Sequence, residues 1–125
     1  MKTLKRILLS VLLVSLAALG HVFAQTIHTV TNTSANPATA GSLNNALNQA
    51  LNTVGANEIR FTIPGAGPFI INTAGLGIYA SANCTSLLID ATTQAGWVLG
   101  QPIVILQGSG TGDCFNVGET NVTIK

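Results

Sequence analysis

The chain has 125 residues, enough for one domain or a piece of one, with 47% hydrophobic and 7% charged side chains where an ordinary soluble chain carries about 25% charged. Three of its five basic residues, Lys2, Lys5 and Arg6, fall in the first six positions. The rest of the chain keeps Arg60 and Lys125 against Glu58, Asp90, Asp113 and Glu119, a net charge of −2, which excludes a basic nucleic-acid surface and a polybasic membrane signal.

The N-terminus reads as an address. "MKTLKR" is a basic n-region, "ILLSVLLVSLAALG" an uncharged apolar run, and "HVFAQ" places Val22 and Ala24 at the small-residue positions of a cleavage site. Together they predict a secretory signal peptide over 1–24, cut after Ala24. The apolar run, about 14 residues, is short for a membrane span of about 20. Export to the cell surface or the medium permits disulfides. Cys84 and Cys114 are the only cysteines, so one bridge between them is a candidate, with two separate thiols as the alternative.

"QTIHTV" reads as a short strand leading into a loop rich in Asn, Ser, Pro and Gly. His28 has no second ligand at metal spacing and is expected to face solvent. In "GSLNNALNQALNTVG", Leu43, Ala46, Leu47, Ala50, Leu51 and Val54 follow the i, i+3, i+4 pattern, which predicts one amphipathic helix over about 42–53. Ser42 is its expected N-cap and Gly55 its expected left-handed C-cap. The opposite face is Asn and Gln, polar without charge.

After the helix come short apolar segments separated by Gly, Ser, Thr and Asn: "EIRFTI", "PFIIN", "SLLID", "PIVIL", "CFNV" and "NVTIK". A sandwich or barrel would call for antiparallel hairpins with Asn-Gly or Asp-Gly turns, and the sequence has neither pair. Instead "IRFTI", "LLID" and "VTIK" begin at 59, 87 and 122, and "FII" and "IVIL" at 69 and 103. Recurrence after about 28 to 35 residues predicts a solenoid.

These segments resemble a known family. "GSLNNALNQALNTVGANEIRFTIPGAGPFII", "LLIDATTQAGW", "PIVILQGSG" and "NVTIK", from about Gly41 to Lys125, are similar to the N-terminal cap and first coils of bacterial right-handed parallel β-helix repeat proteins, which are exported and adhesin-like. Ala91 and Ala95 stand where the pattern usually has Gly and Pro, and Asn44 where it usually has Arg. The resemblance implies an all-β fold, a right-handed parallel β-helix over 25–125 with an N-terminal capping helix. It does not fix a function, because such coils serve adhesins and polysaccharide lyases alike.

The motifs carry little chemistry. "PGAGP" leads from strand to strand, and Pro64 and Pro68 remove two donors that a phosphate loop would use, so Gly65 and Gly67 are expected to shape a corner. "GSGTGD" holds one acid, Asp113, where calcium wants several carboxylates; a surface turn is expected. Asp90 is expected to accept from the N–H of Thr92 or Thr93. Trp97 is expected to close the corner, with stacking on a sugar ring as its alternative. Asn83, Asn116 and Asn121 are expected in internal stacks between coils.

No catalytic, cofactor or metal constellation emerges. A lyase of the pectate type needs clustered acids for calcium and an Arg or Lys base, which these residues do not assemble. The expectation is a non-catalytic module contacting a surface polysaccharide or a host or cell-surface ligand, with no nucleic acid and no membrane span after signal removal. The alternative is the first part of a polysaccharide lyase or glycoside hydrolase whose active coils lie elsewhere. Because "NVTIK" stops within a predicted strand and solenoids want about three repeats and caps, the chain is expected to be truncated and to self-associate through an open last coil.

Expression in a secreting host should release a product whose N-terminal sequence begins at Gln25, and Ala24→Arg should leave the leader attached, as read by intact mass. A secreted product still carrying Met1 would refute the cleavage.

Overall fold

The computed structural model describes residues 25–73, 76–78, 81–108, 115–118 and 121–125. The described residues are mostly strand, with one α-helix and a 3₁₀ turn at Ala91–Thr93. The strands are β1 (Thr26–Val30), β2 (Gly55–Phe61), β3 (Phe69–Thr73), β4 (Leu76–Ile78), β5 (Cys84–Asp90), β6 (Val104–Gly108), β7 (Phe115–Val117) and β8 (Val122–Ile124). The helix α1 is Leu43–Asn52, between β1 and β2.

All the pairings between these strands are parallel. Sheet A has the order β1-β2-β5-β8, sheet B is β3-β6 and sheet C is β4-β7. Parallel neighbours cannot be joined by a hairpin. The chain therefore leaves sheet A after β2, adds a strand to B and then to C, and returns to A at β5 before repeating the circuit.

The helix relies on packing, because four of its ten residues are asparagines that do not favour helix. Asn costs up to about 0.7 kcal/mol per helical position relative to Ala, and α1 carries Asn44, Asn45, Asn48 and Asn52. Leu43, Ala46, Leu47 and Ala50 are buried, and each leucine alone gains about 1.5–3 kcal/mol on burial. Ser42 caps the start as expected, its Oγ accepting from Asn45 N–H at 3.1 Å. The polar face is also used: Asn44 Nδ2 donates to Ala35 O at 2.6 Å and Asn45 Nδ2 to Pro37 O at 3.0 Å, pinning the preceding loop.

The expected C-cap is corrected. The helix ends at Thr53, in extended conformation, with its N–H donating to Ala50 O and its Oγ1 to Gln49 O at 2.8 Å. Gly55 does take a positive φ of 100°, but as the first residue of β2. With Asn52 as the last helical residue, Val54, the end of the expected apolar stripe, is exposed.

The core lies between α1 and the inward faces of the three sheets, built on Val30, Ile59, Phe61, Ile71, Ile78, Leu87 and Ile89. Parallel register stacks like on like: Val30 beside Phe61, Ile59 beside Ile89, Ile89 beside Ile124, and Ile71 beside Leu106. The sequence spacing aligns Ile59 with Leu87 and Phe69 with Ile103. The observed partners are Ile89 and Val104. A bulge between Gly55 and Ala56 accounts for one residue of the two-residue first shift. Ile103 is spent at the corner, where a Cβ on Gly67 would lie 2.6 Å from its Cγ1; this close approach is what the "PGAGP" corner needs its second glycine for.

His28 is corrected as well. It is buried, in register with Ile59, while Ile27 faces out. Its Nε2 lies 3.0 Å from Oδ1 of Asn57, a side chain with no solvent exposure. Asn57 Nδ2 in turn donates to Thr53 O and Gly55 O, both at 3.0 Å. The internal asparagine is thus Asn57. Asn83, Asn116 and Asn121 are all exposed, on turns or an outward strand position.

The turn after β5 completes the ladder with side chains. Asp90 accepts from Thr92 N–H at 3.0 Å, as expected. Thr93 Oγ1 accepts from Phe61 N–H at 2.9 Å. Gln94, almost fully buried, accepts from Ile63 N–H through Oε1 at 2.8 Å and donates to Ile63 O through Nε2 at 3.0 Å. Gln94 stands in for a strand.

Gln94→Ala should therefore lower unfolding free energy by about 2–4 kcal/mol, because it strands two buried backbone groups at roughly 1–3 kcal/mol each. Exposed Gln101→Ala should stay within about 0.5 kcal/mol. Urea titration followed by circular dichroism reads both; equal effects would refute this role for Gln94.

Candidate ligand-binding face

All four charged side chains among the described residues lie on one surface, the outer face of sheet A. Alternation along each strand sends His28, Val30, Asn57, Ile59, Phe61, Leu87 and Ile89 inward. The residues between them point out, and parallel register sorts them into rows. The first row crosses Gln25, Ala56, Ser86 and Asn121, the second Ile27, Glu58, Leu88 and Thr123. The third is Thr29, Arg60 and Asp90, continued by Lys125, whose N–H donates to Ile89 O at 2.9 Å and whose carbonyl accepts from Ala91 N–H at 3.0 Å.

Glu58 and Arg60 are two apart on β2 and so share this face. The guanidinium grips the carboxylate at both ends, Nε to Oε1 at 2.7 Å and Nη2 to Oε2 at 2.9 Å. Glu58 is buried beneath a half-exposed Arg60. The Glu58 hydrogen bonds hold the Arg60 pKa above its ordinary value; burial opposes them, and the charges of Glu58 and Asp90 add to the rise. Arg60 is a fixed cation with its charge already answered. Asp90 is likewise engaged, its Oδ1 accepting from Thr92 N–H and from Thr92 Oγ1 at 2.6 Å.

A shallow groove of about 250 Å³ lies on this face, lined by Gln25, Ser86, Leu88, Asn121, Thr123 and Lys125 among others. Asn121 is held in place by donating to Thr85 O at 3.2 Å. The outer faces of the other sheets are plainer. Sheet B shows Ile70 beside Ile105 and Asn72 beside Gln107, and sheet C shows Gly77 beside Asn116.

Trp97 sits at an exposed turn bracketed by Gly96 and Gly100, both at positive φ. Its backbone N–H donates to Gln94 O at 3.1 Å, and an antiparallel bridge joins Val98 to Gln101. Trp97 is 40% exposed and Leu99 84%, so the indole keeps surface open for stacking.

Cys84, at the start of β5, is half-buried. Its thiol donates to Ser86 O at 3.3 Å and receives Asn57 Nδ2 at 3.5 Å. Its candidate partner Cys114 lies outside the described residues, as do Asp113 and Glu119. Among the described residues, no three His, Cys, Asp or Glu side chains converge as a metal centre, and no helix is long and apolar enough to cross a membrane.

The grouping of Glu58, Arg60, Asp90 and Lys125 was not visible in the sequence, where they are spread over 68 positions. The signal that could have found it is the parity of strand positions combined with the correct register. Compared with protein-family models, curated proteins and solved structures, the chain finds no match.

If Arg60 is present to answer Glu58, Arg60→Met should lower the urea midpoint through the carboxylate it leaves uncompensated. Glu58→Gln in the same chain should restore much of the loss. Additive losses in this double-mutant cycle would show the pair to be uncoupled.

Proposed function

We propose that this chain is the capped N-terminal part of a right-handed parallel β-helix, exported and non-catalytic, that contacts a polysaccharide or another cell-surface ligand. One observation carries the architectural half of this reading. From β2 onward each strand pairs in parallel with the strand three places later: β2 with β5, β3 with β6, β4 with β7 and β5 with β8. A chain that circulates through three ladders in fixed order behaves as a coil, each circuit resting on the one before. The helix covering the inward side near β1 suits a cap, which keeps the first turn's apolar interior from solvent.

The functional half rests on export and on surface chemistry. A leader of the secretory kind places the mature part outside the cell. There its outer faces offer amides, hydroxyls and an exposed indole, and the two described carboxylates are engaged by Arg60 and Thr92. A general acid or base has to reach the proton it moves, and neither Glu58 nor Asp90 lines the groove on the outer face of sheet A. Surface recognition makes better use of this inventory than hydrolysis.

The test is affinity electrophoresis of the mature 25–125 protein in gels carrying neutral or acidic polysaccharides. Retardation by at least one of them is expected. Migration unchanged across the panel would overturn the polysaccharide reading.

A further inference from the structure

We infer that the groove on the outer face of sheet A is a binding site for an uncharged saccharide chain. This rests on the proposal that the protein contacts a polysaccharide, and it names the site and the chemical class.

The lining decides the class. Gln25 and Asn121 carry carboxamides and Ser86 and Thr123 hydroxyls, all groups that both donate and accept. A sugar ring presents the same dual chemistry around its edge. The hydroxyls of Ser86 and Thr123 have no hydrogen-bond partner among the described residues, so they are free to take one. Leu88 supplies an apolar floor on which the C–H face of a ring can rest, with Ile27 exposed at the far end of the same row.

Charge argues against an acidic ligand. Lys125 carries the one ionised side chain in the lining, whereas Glu58 and Arg60 answer each other outside it. A single ammonium beside Asp90 provides one more donor rather than a cationic track.

Shape argues for a chain rather than a compact ligand. The volume of about 250 Å³ is below the roughly 300–1,000 Å³ of enclosed small-molecule sites. The row from Gln25 to Asn121 nevertheless crosses four strands, about 14 Å at the usual spacing between strands. A long, shallow, polar strip suits an extended polymer touching several strands in turn.

The test is calorimetric titration of the mature protein with neutral hexamers of β-glucan, mannan and xylan, and with a hexamer of mannuronate, at low and high salt. A neutral hexamer should bind with an affinity that salt leaves unchanged. Ser86→Ala with Thr123→Val should weaken it about tenfold, as expected for loss of one or two hydrogen bonds, while Asn72→Ala, exposed on sheet B away from the groove, leaves it unchanged. Thr123→Val alone, isosteric and exposed, should weaken it in the same direction if the double variant misfolds.

Neutral binding that ignores the groove substitutions but disappears in Trp97→Ala would overturn the groove and leave the polysaccharide reading standing. A salt-sensitive preference for the mannuronate hexamer would overturn the uncharged class. Failure of every hexamer and of the gel retardation together would overturn both readings.

Discussion

Everything in this structure hangs on one buried side chain. Asn57 lies in the first position of β2 that faces wholly inward, where β1, the end of α1 and the start of β5 converge. Its amide reaches all of them: His28 on β1, the Thr53 and Gly55 carbonyls at the end of the helix, and the Cys84 thiol on β5. A carboxamide taken from water without partners costs several kcal/mol, so its burial is tolerable only if every neighbour arrives at the right place. That requirement makes Asn57 a register device. It fixes where β2 begins relative to the helix, and His28 opposite it fixes which face of β1 turns inward. An apolar residue at 57 could pack against its neighbours but would leave the Thr53 and Gly55 carbonyls and the imidazole without their partner.

The other end of β2 obeys the same logic. Where β5 turns away after Asp90, the backbone of Phe61 and Ile63 would lose its ladder inside the protein. Thr93 and Gln94 replace the missing strand with a hydroxyl and a carboxamide. Thus β2 is held by uncharged polar side chains where its backbone neighbours run out. This accounts for a composition so poor in charge. In the interior the polar work is done by groups that can be fully paired without the desolvation penalty of ions, and the described charges are left to one outer face.

This also explains what could be read from the sequence. The helix was legible because its 3.6-residue period and Ser42 are local signals, and the strands because each lies between clear turn residues. The circulation through three ladders was legible only in outline, from recurrence at 28 to 35 residues. Register was not. The partners are displaced by two residues in sheet A, one of them at the bulge after Gly55, and by one in sheet B, where Ile103 is used at the corner, and neither leaves a mark on a single sequence. An error of one residue exchanges inside for outside. His28 and Ile27 illustrate the difficulty most sharply. Hydropathy alone would bury Ile27 and expose His28; a single hydrogen-bond partner 29 residues away reverses both. The grid of Gln25, Ser86, Leu88 and Thr123 exists only once register is correct, and so could not be seen beforehand.

One ladder also links the outer face to the far end of the fold. Along the stacked isoleucines of sheet A, exposure runs from 0% at Ile59 to 5% at Ile89 and 55% at Ile124. Beside this end a cavity of about 140 Å³ is bounded by Phe61, Ile89, Val104, Leu106 and Ile124. Among the described residues β8 pairs only with β5, so its order depends on three residues of ladder and a half-buried Val122. Local opening is cheapest where burial is least. Yet β8 carries Thr123, and Asn121 and Lys125 flank it, which makes the least buried strand one wall of the groove. Any chain that covered the inward side of β8 would bury Ile124 and gain up to about 1.5–3 kcal/mol from it. The same contact would hold Thr123 and Lys125 still on the opposite side. The outer face and the apolar end therefore share a single short strand, and a strand cannot be ordered on one face and free on the other.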